Sequence, residues 1–204
     1  MNSNKKSMEI FPHLPHSETP RAIVGICGNR GSGKTTLAKV LHERSVKSGN
    51  SSKVLNFADP LKAGIKHLFL FSDEQLHGSL KEVVDERWGI SPRHAMQNLA
   101  TDFLRDTVDK EFFIKHLQHR MIVPNCHYYI ADVRFKNEQE ALKKAGAILV
   151  HLNRTGLEQD THSSELSLDS KLIDIELIND GTIDELVVAY FDKLEEFIAV
   201  QARS

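Results

Sequence analysis

Gly28-Asn29-Arg30-Gly31-Ser32-Gly33-Lys34-Thr35 is the stretch on which the fold of this chain turns. It fits the phosphate-loop pattern G-x-x-x-x-G-K-[ST]. The apolar, β-leaning run Ala22-Ile23-Val24-Gly25-Ile26-Cys27 precedes it, and Lys34-Thr35-Thr36-Leu37-Ala38-Lys39-Val40-Leu41 follows with helical patterning. In a strand–loop–helix unit of this kind the glycines let the backbone curl, so that successive N–H groups point at phosphate oxygens. The helix N-terminus adds its partial positive charge. The Lys34 ammonium then reaches the β/γ-phosphates and the Thr35 hydroxyl meets Mg²⁺. Asn29, Gly31, Ser32, Gly33, Lys34, Thr35 and Thr36 are therefore the candidate triphosphate-binding residues.

Working outward, short apolar strand candidates recur at 22–27, 53–57, 127–132, 147–152 and 174–178. Helical candidates cover 34–48, 59–71, 91–106, 110–121, 136–145 and 182–200. Continuous apolar runs alternating with helices predict a five-stranded parallel sheet in a three-layer α/β/α fold. Ligands of such sheets sit beyond the carboxyl ends of the strands. About seventy residues separate the second strand from the third, far more than a simple crossover needs. Residues 60–122 are thus expected to form a helical insertion within a domain spanning 21–204. The polar, Ser/Thr-rich segment 155–170 is expected to act as a short lid.

Composition narrows the class further. The chain has 204 residues, 40% hydrophobic and 26% charged, which suits a globular protein with a real core. A formal net charge of −2 offers no global attraction to nucleic acid or anionic membrane, so an anionic ligand must be captured locally. Cys27 and Cys126 lack metal-ligand spacing and read as buried small hydrophobes in a reducing compartment. Residues 1–20 are polar, with two early lysines and internal prolines, and read as a disordered tail rather than a signal peptide. No apolar run approaches a membrane span, and the expected location is cytoplasmic.

Switch-GTPase motifs (D-x-x-G, [NT]-K-x-D) and the L-S-G-G-Q run of transporter ATPases are absent, which leaves a small kinase. Asp59 stands where the second strand opens on to the site, ahead of Pro60, and two readings stand: a helix N-cap, or an acid orienting the acceptor or a Mg²⁺-bound water. Asp132, at the end of the third strand, stands where a Walker-B carboxylate helps hold Mg²⁺. Arg134 either clamps the transferring phosphate or pairs with Glu138 one helical turn on. Arg93, Gln97, Thr101 and Arg105 recur every four residues and share one helix face, suited to a phosphate and a base edge or simply to solvent. Trp88 suits base stacking or a core position.

A family resemblance rests on these runs taken together: Phe57-Ala58-Asp59-Pro60-Leu61-Lys62, Gly78-Ser79-Leu80-Lys81, Trp88-Gly89-Ile90-Ser91-Pro92-Arg93, Gln97 to Arg105, Asp132-Val133-Arg134-Phe135-Lys136-Asn137-Glu138, Asp160-Thr161-His162-Ser163-Ser164-Glu165 and Asn179-Asp180-Gly181-Thr182. In order and spacing the chain resembles the deoxynucleoside monophosphate kinases of bacteriophages and viruses, from about Ala22 to about Tyr190. The resemblance implies a P-loop kinase fold with a helical monophosphate-binding insertion and a lid. It implies transfer of the ATP γ-phosphoryl group to a deoxynucleoside monophosphate, with Mg²⁺, and a homodimer. Carried over, Lys34 and Thr35 serve ATP·Mg²⁺, while Asp59, Lys62, Lys81 and Arg134 face the acceptor. Trp88, Arg93, Gln97, Thr101, Asp102 and Arg105 belong to the acceptor lobe. Arg154, just past the fourth strand, serves either adenine or the phosphates; Asn179 and Gly181 flank adenine or form a turn before the last helix. His162 and Glu165 meet substrate or brace the lid, which carries neither Arg nor Lys. Ala100 departs from the glycine expected before Thr101-Asp102, a methyl that narrows the base pocket. Two rivals are a kinase of another small acceptor such as dephospho-coenzyme A, and a nucleotide-binding regulator without an acceptor; which acceptor releases ADP from ATP separates them.

Overall fold

The computed structural model describes residues 22–157 and 168–203. The expected tail over 1–20, most of the expected lid, and with it His162 and Glu165, lie outside the described residues. In chain order the elements are β1 (Ala22–Cys27), α1 (Lys34–Lys47), β2 (Ser51–Leu55), α2 (Asp59–Phe69), α3 (Asp73–His77), α4 (Pro92–Asn98), a π-helix (Leu99–Val108), α5 (Phe112–Arg120), β3 (Cys126–Ile130), α6 (Lys136–Lys144), β4 (Ile148–Asn153), β5 (Ile175–Ile178) and α7 (Ile183–Gln201). Short 3₁₀ turns occupy Ser79–Glu82 and Ser170–Leu172. The chain divides into two compact units, Met1–Asn56 with Gln118–Ser204, and Phe57–Leu117. Among the described residues no helix is long and apolar enough to cross a membrane.

The first unit is built on a five-stranded sheet in the order β2-β3-β1-β4-β5. Every pairing is parallel. β1 lies at its centre and is buried on both faces, which is why its sequence is continuously apolar rather than alternating. Val24 and Ile26 join a core with Leu37, Ala38 and Leu41 of α1, Val150 and Leu152 of β4, and Leu186, Val187 and Tyr190 of α7. Gly25 faces the other way. A side chain there would land 2.6 Å from Leu149 and 2.9 Å from Leu142 of α6, so α6 closes down on a glycine. Helices on both faces of one parallel sheet make the three layers.

Two strands stop earlier than their sequences suggest. β2 ends at Leu55, because Phe57 and Ala58 already turn into α2. β3 ends at Ile130; Ala131 N–H still donates to the Leu55 carbonyl at 3.2 Å, and by Arg134 and Phe135 the backbone N–H groups are taken by the Glu138 carboxylate instead. The shorter β3 places Asp132 on the loop after the strand, while Asp59 opens α2, as the helical patterning over 59–71 expects.

In the second unit α2 buries Leu61 and Ile65, one turn apart. α3 starts with a reciprocal cap, Ser72 Oγ accepting from Gln75 N at 3.2 Å and Gln75 Oε1 accepting from Ser72 N at 2.9 Å. The single helix expected over 91–106 is two: Ser91 caps α4, and from Leu99 the ladder widens to bonds five residues apart, as in Asp109 N to Leu104 O at 2.9 Å. None of the ten π-helical residues is buried, so no core packing holds this stretch to the tighter α repeat.

Candidate active site

In a parallel sheet all carboxyl ends lie along one edge. The phosphate loop follows β1 there, Asp132 and Arg134 follow β3, Arg154 follows β4, and Asn179 follows β5. Gly28 takes φ +132°, and a Cβ would strike the Leu152 carbonyl oxygen; only glycine lets the loop leave the sheet here. Gly33 takes φ +100° and caps α1, and a Cβ would strike the side-chain amide of Asn179. Lys34 is buried and folds back over the loop, its ammonium donating to the carbonyl of Gly28 and to that of Asn29 at 2.6 Å. Ser32 is fully buried, and its Oγ has no hydrogen-bond partner. A buried orphan hydroxyl, a buried ammonium and a glycine loop at a helix N-terminus fit a polyphosphate, whose oxygens satisfy all three. Thr35 and Thr36 stand exposed at the start of α1.

Charge behind the loop is arranged to stay put. Burial, and then the Glu138 carboxylate, push the Cys27 thiol up to about 12 against the opposing Lys34 ammonium. Glu138 is 2% exposed. Its carboxylate accepts from the N–H of Arg134 at 2.9 Å and of Phe135 at 3.2 Å, and so fixes the backbone that carries Asp132 and Arg134. The sequence reading paired Glu138 only with the Arg134 side chain; a backbone role gives no signal in residue spacing. Asp132 is half-buried, and its hard oxygens suit Mg²⁺, which keeps several waters and takes one or two carboxylates.

The turn after β5 holds two other loops. Asn179 Nδ2 donates to the Ser32 carbonyl at 2.8 Å, and Asn179 N–H donates to the Asn153 carbonyl at 2.7 Å. Asp180 accepts from the Thr155 N–H at 2.7 Å and from its hydroxyl. Those donors, helped by Arg154 nearby, hold the Asp180 carboxyl below the usual carboxylate range. Arg154 itself is exposed. Gly181 does not use left-handed backbone, so this turn does not need glycine's conformational freedom; Thr182 caps α7 with Glu185 in reciprocal bonds.

In the second unit the N-cap of α2 is Ala58 and Asp59 is the first helical residue, so Asp59 does not occupy the N-cap position expected for it. Lys62 Nζ lies 3.4 Å from His77 Nδ1. Burial, then Lys62, lower the His77 pKa; Lys81 adds to this, while Asp73 and Asp59 oppose it. Asp59, Lys62 and Lys81 thus converge around a histidine that no motif pointed to. Arg93 Nε donates to the Glu82 carboxylate, and the Arg105 guanidinium sits 4.5 Å over the Phe113 ring. The expected single helix face is therefore divided: Arg93 and Gln97 ride on α4, Thr101 and Arg105 on the π-helix. Asp102, also on the π-helix, is exposed, and its carbonyl accepts from Thr107 Oγ1 at 2.9 Å. Trp88 is not core. It is 44% exposed, its indole N–H donates to the Phe69 carbonyl at 2.8 Å, and it meets the Phe69 ring edge-on at 5.5 Å.

A P-loop opening on the carboxyl edge of a 2-3-1-4-5 parallel sheet, with a carboxylate just past the end of the adjacent strand, marks a P-loop kinase. Comparison with known proteins is consistent with that class. The profile of the deoxynucleotide monophosphate kinase family matches residues 70–189. A protein of Acanthamoeba polyphaga mimivirus, assigned by its name as a deoxynucleotide monophosphate kinase, is 42% identical over 180 residues, 80% of this chain and 91% of its own length. The deoxynucleotide monophosphate kinase of Escherichia phage RB69 is 28% identical over 149 residues, 71% of this chain and 58% of its own length. A Mycobacterium tuberculosis APS kinase structure aligns over 86% of this chain and 99% of its own, with a TM-score of 0.48 and 16% identity. This chain belongs to the deoxynucleotide monophosphate kinase family.

Proposed function

We propose that the chain transfers the γ-phosphoryl group of ATP to a deoxynucleoside 5′-monophosphate, yielding ADP and the deoxynucleoside diphosphate. The observation that carries this reading is the cradle formed by the buried Lys34 ammonium and the orphan Ser32 hydroxyl, in a chain of this family. Thr35 and Asp132 offer hard oxygens to Mg²⁺, which when bound neutralises charge on the β- and γ-phosphates. Lys34 and the loop N–H groups hold the triphosphate, and Arg134 and Arg154 balance charge that shifts toward the transferring group. The acceptor is already ionised at neutral pH, so the chain needs no strong base; Asp59 orients rather than deprotonates. Lys62 and Lys81, with His77 beside Lys62, supply positive charge to the acceptor phosphate. Arg93 and Arg105 leave Glu82 and Phe113 to take that phosphate as bidentate donors, while Gln97, Thr101, Asp102 and Trp88 read the nucleoside. The segment 155–170, with His162 and Glu165, excludes water, the competing acceptor. A net charge of −2 supports a small-molecule acceptor rather than nucleic acid or a membrane surface.

The test is ADP release from ATP·Mg²⁺ against ribo- and deoxyribonucleoside monophosphates, with dephospho-coenzyme A as a further acceptor. Stimulation by one or more deoxynucleoside monophosphates is expected. Slow ATP hydrolysis that no monophosphate accelerates would reject the proposal. Sedimentation velocity tests the homodimer that the family resemblance implies.

A further inference from the structure

The side chain of Asn179 reaches a place that adenine recognition does not require. It lies 147 residues from Ser32 in sequence, yet donates to that residue's carbonyl. A trans peptide holds its C=O and its N–H in opposite directions. Anchoring the Ser32 carbonyl therefore holds the N–H of the same peptide, that of Gly33, pointing the other way, away from Asn179. Asn179 is itself rooted in the sheet: its N–H continues the β4–β5 pairing by donating to the Asn153 carbonyl, next to the paired Asn153 and Ile178. The approach depends on Gly33, where any Cβ would collide with the amide nitrogen. Glycine at this position thus serves the Asn179 contact as well as the loop's own φ of +100°.

We propose that Asn179 is a positioning residue of the phosphate loop, whose side-chain amide orients the Ser32–Gly33 peptide for the triphosphate and takes no part in reading the base. The inference rests on the loop binding a triphosphate. It makes Asn179 indifferent to the nucleobase. It also makes donation, not shape, the property that matters, because only an N–H satisfies the Ser32 carbonyl.

The experiment is calorimetric binding of ATP, GTP and inorganic tripolyphosphate, each with Mg²⁺, to the wild-type chain and to Asn179→Ala and Asn179→Asp. The aspartate keeps the shape and removes the donor, so it covers the case in which the alanine variant fails to fold. Loss of one hydrogen bond predicts that Asn179→Ala weakens ATP and tripolyphosphate by the same factor, about five- to thirtyfold, and that Asn179→Asp, whose carboxylate adds repulsion, weakens both by at least as much, with the ATP:GTP ratio unchanged in each. Steady-state kinetics should show a raised KM for ATP with the KM of the acceptor unmoved, a split that general destabilisation would not produce. Unchanged tripolyphosphate affinity alongside weakened ATP, or a shifted ATP:GTP ratio, overturns the proposal and assigns the amide to adenine. Wild-type affinity in Asn179→Asp overturns it as well. A wild-type chain that binds none of the three ligands instead overturns the triphosphate reading itself.

Discussion

Lys34 is a buried cation whose ammonium donates to the carbonyls of Gly28 and Asn29 in its own loop, so its charge is held at the loop that would cradle a phosphate. Truncation removes that charge without opening the hydrophobic core. Lys34→Ala is expected to retain its circular dichroism spectrum and lose about a hundredfold or more in kcat; wild-type-like turnover would remove Lys34 from the chemistry. Asp132→Asn keeps the size and deletes a hard anionic ligand, so half-saturation should move to higher Mg²⁺; an identical Mg²⁺ titration would exclude Asp132 from the metal's surroundings. Cys27 sits one residue before the loop, fully buried, with its thiol pushed up to about 12 by burial and by Glu138. Raised in this way, the thiol stays protonated throughout the neutral range, and thiolate chemistry appears only in strong alkali. Alkylating reagents at pH 7 are expected to label Cys27 only after denaturant is added, read by mass spectrometry of the modified peptide.

At the scale of the element, the Asp85–Ile90 turn of the second unit is organised by one carboxylate. Asp85 accepts from Arg87 Nε at 2.9 Å, Arg87 Nη2 at 2.7 Å, Gln75 Nε2 at 2.7 Å and the Arg87 N–H at 3.0 Å. Bonds from the Arg87 side chain, then from Gln75, hold its pKa well below the usual carboxylate range. A depressed acid pKa contributes stability that is present above the unfolded value, about pH 4, and fades as pH falls toward the folded value. Asp85→Asn should therefore lower the denaturation midpoint at pH 7, with the gap from wild type narrowing below about pH 4. Trp88, the sole tryptophan, lies in the same turn with its N–H on the Asp85 carbonyl, so its fluorescence reports the event. A gap that persists unchanged at pH 2 would contradict this. The π-helix beside α4 follows a different logic: with no residue buried, it answers to its own ladder and not to a core. The four-residue spacing of Arg93, Gln97, Thr101 and Arg105 was legible in the sequence; the change of helix type beneath it was not, because no glycine or proline marks Leu99.

For the whole molecule, one core and one sheet edge carry most of the consequences. Leu152 is fully buried between α1, α7 and β1, and its backbone carbonyl blocks any side chain at Gly28, so core and phosphate loop share a residue. Leu152→Ala is expected to cost about 2–5 kcal/mol by urea denaturation with an unchanged m-value. ATP·Mg²⁺ at a hundred times its Kd should restore about 2.7 kcal/mol of that loss through linkage, measured as a raised midpoint. No recovery on ligand addition would show that the loop no longer binds.

The sequence alone determined the strand–loop–helix unit and the parallel sheet, since each is written in neighbouring residues: glycines where the backbone must curl, and unbroken apolar runs where both faces are covered. It also carried the family, through motifs whose order survives even where each is short. What only tertiary structure decided are contacts that residue spacing does not report: Asn179 on Ser32 across 147 residues, Arg93 on Glu82, His77 among Asp59, Lys62 and Lys81, and the choice of Glu138 for the backbone of Arg134. The reason is physical. Local periodicity reports which face of an element is apolar, but a polar side chain's partner is whichever unsatisfied group the packed layers bring within 3 Å or so, and that depends on the whole fold.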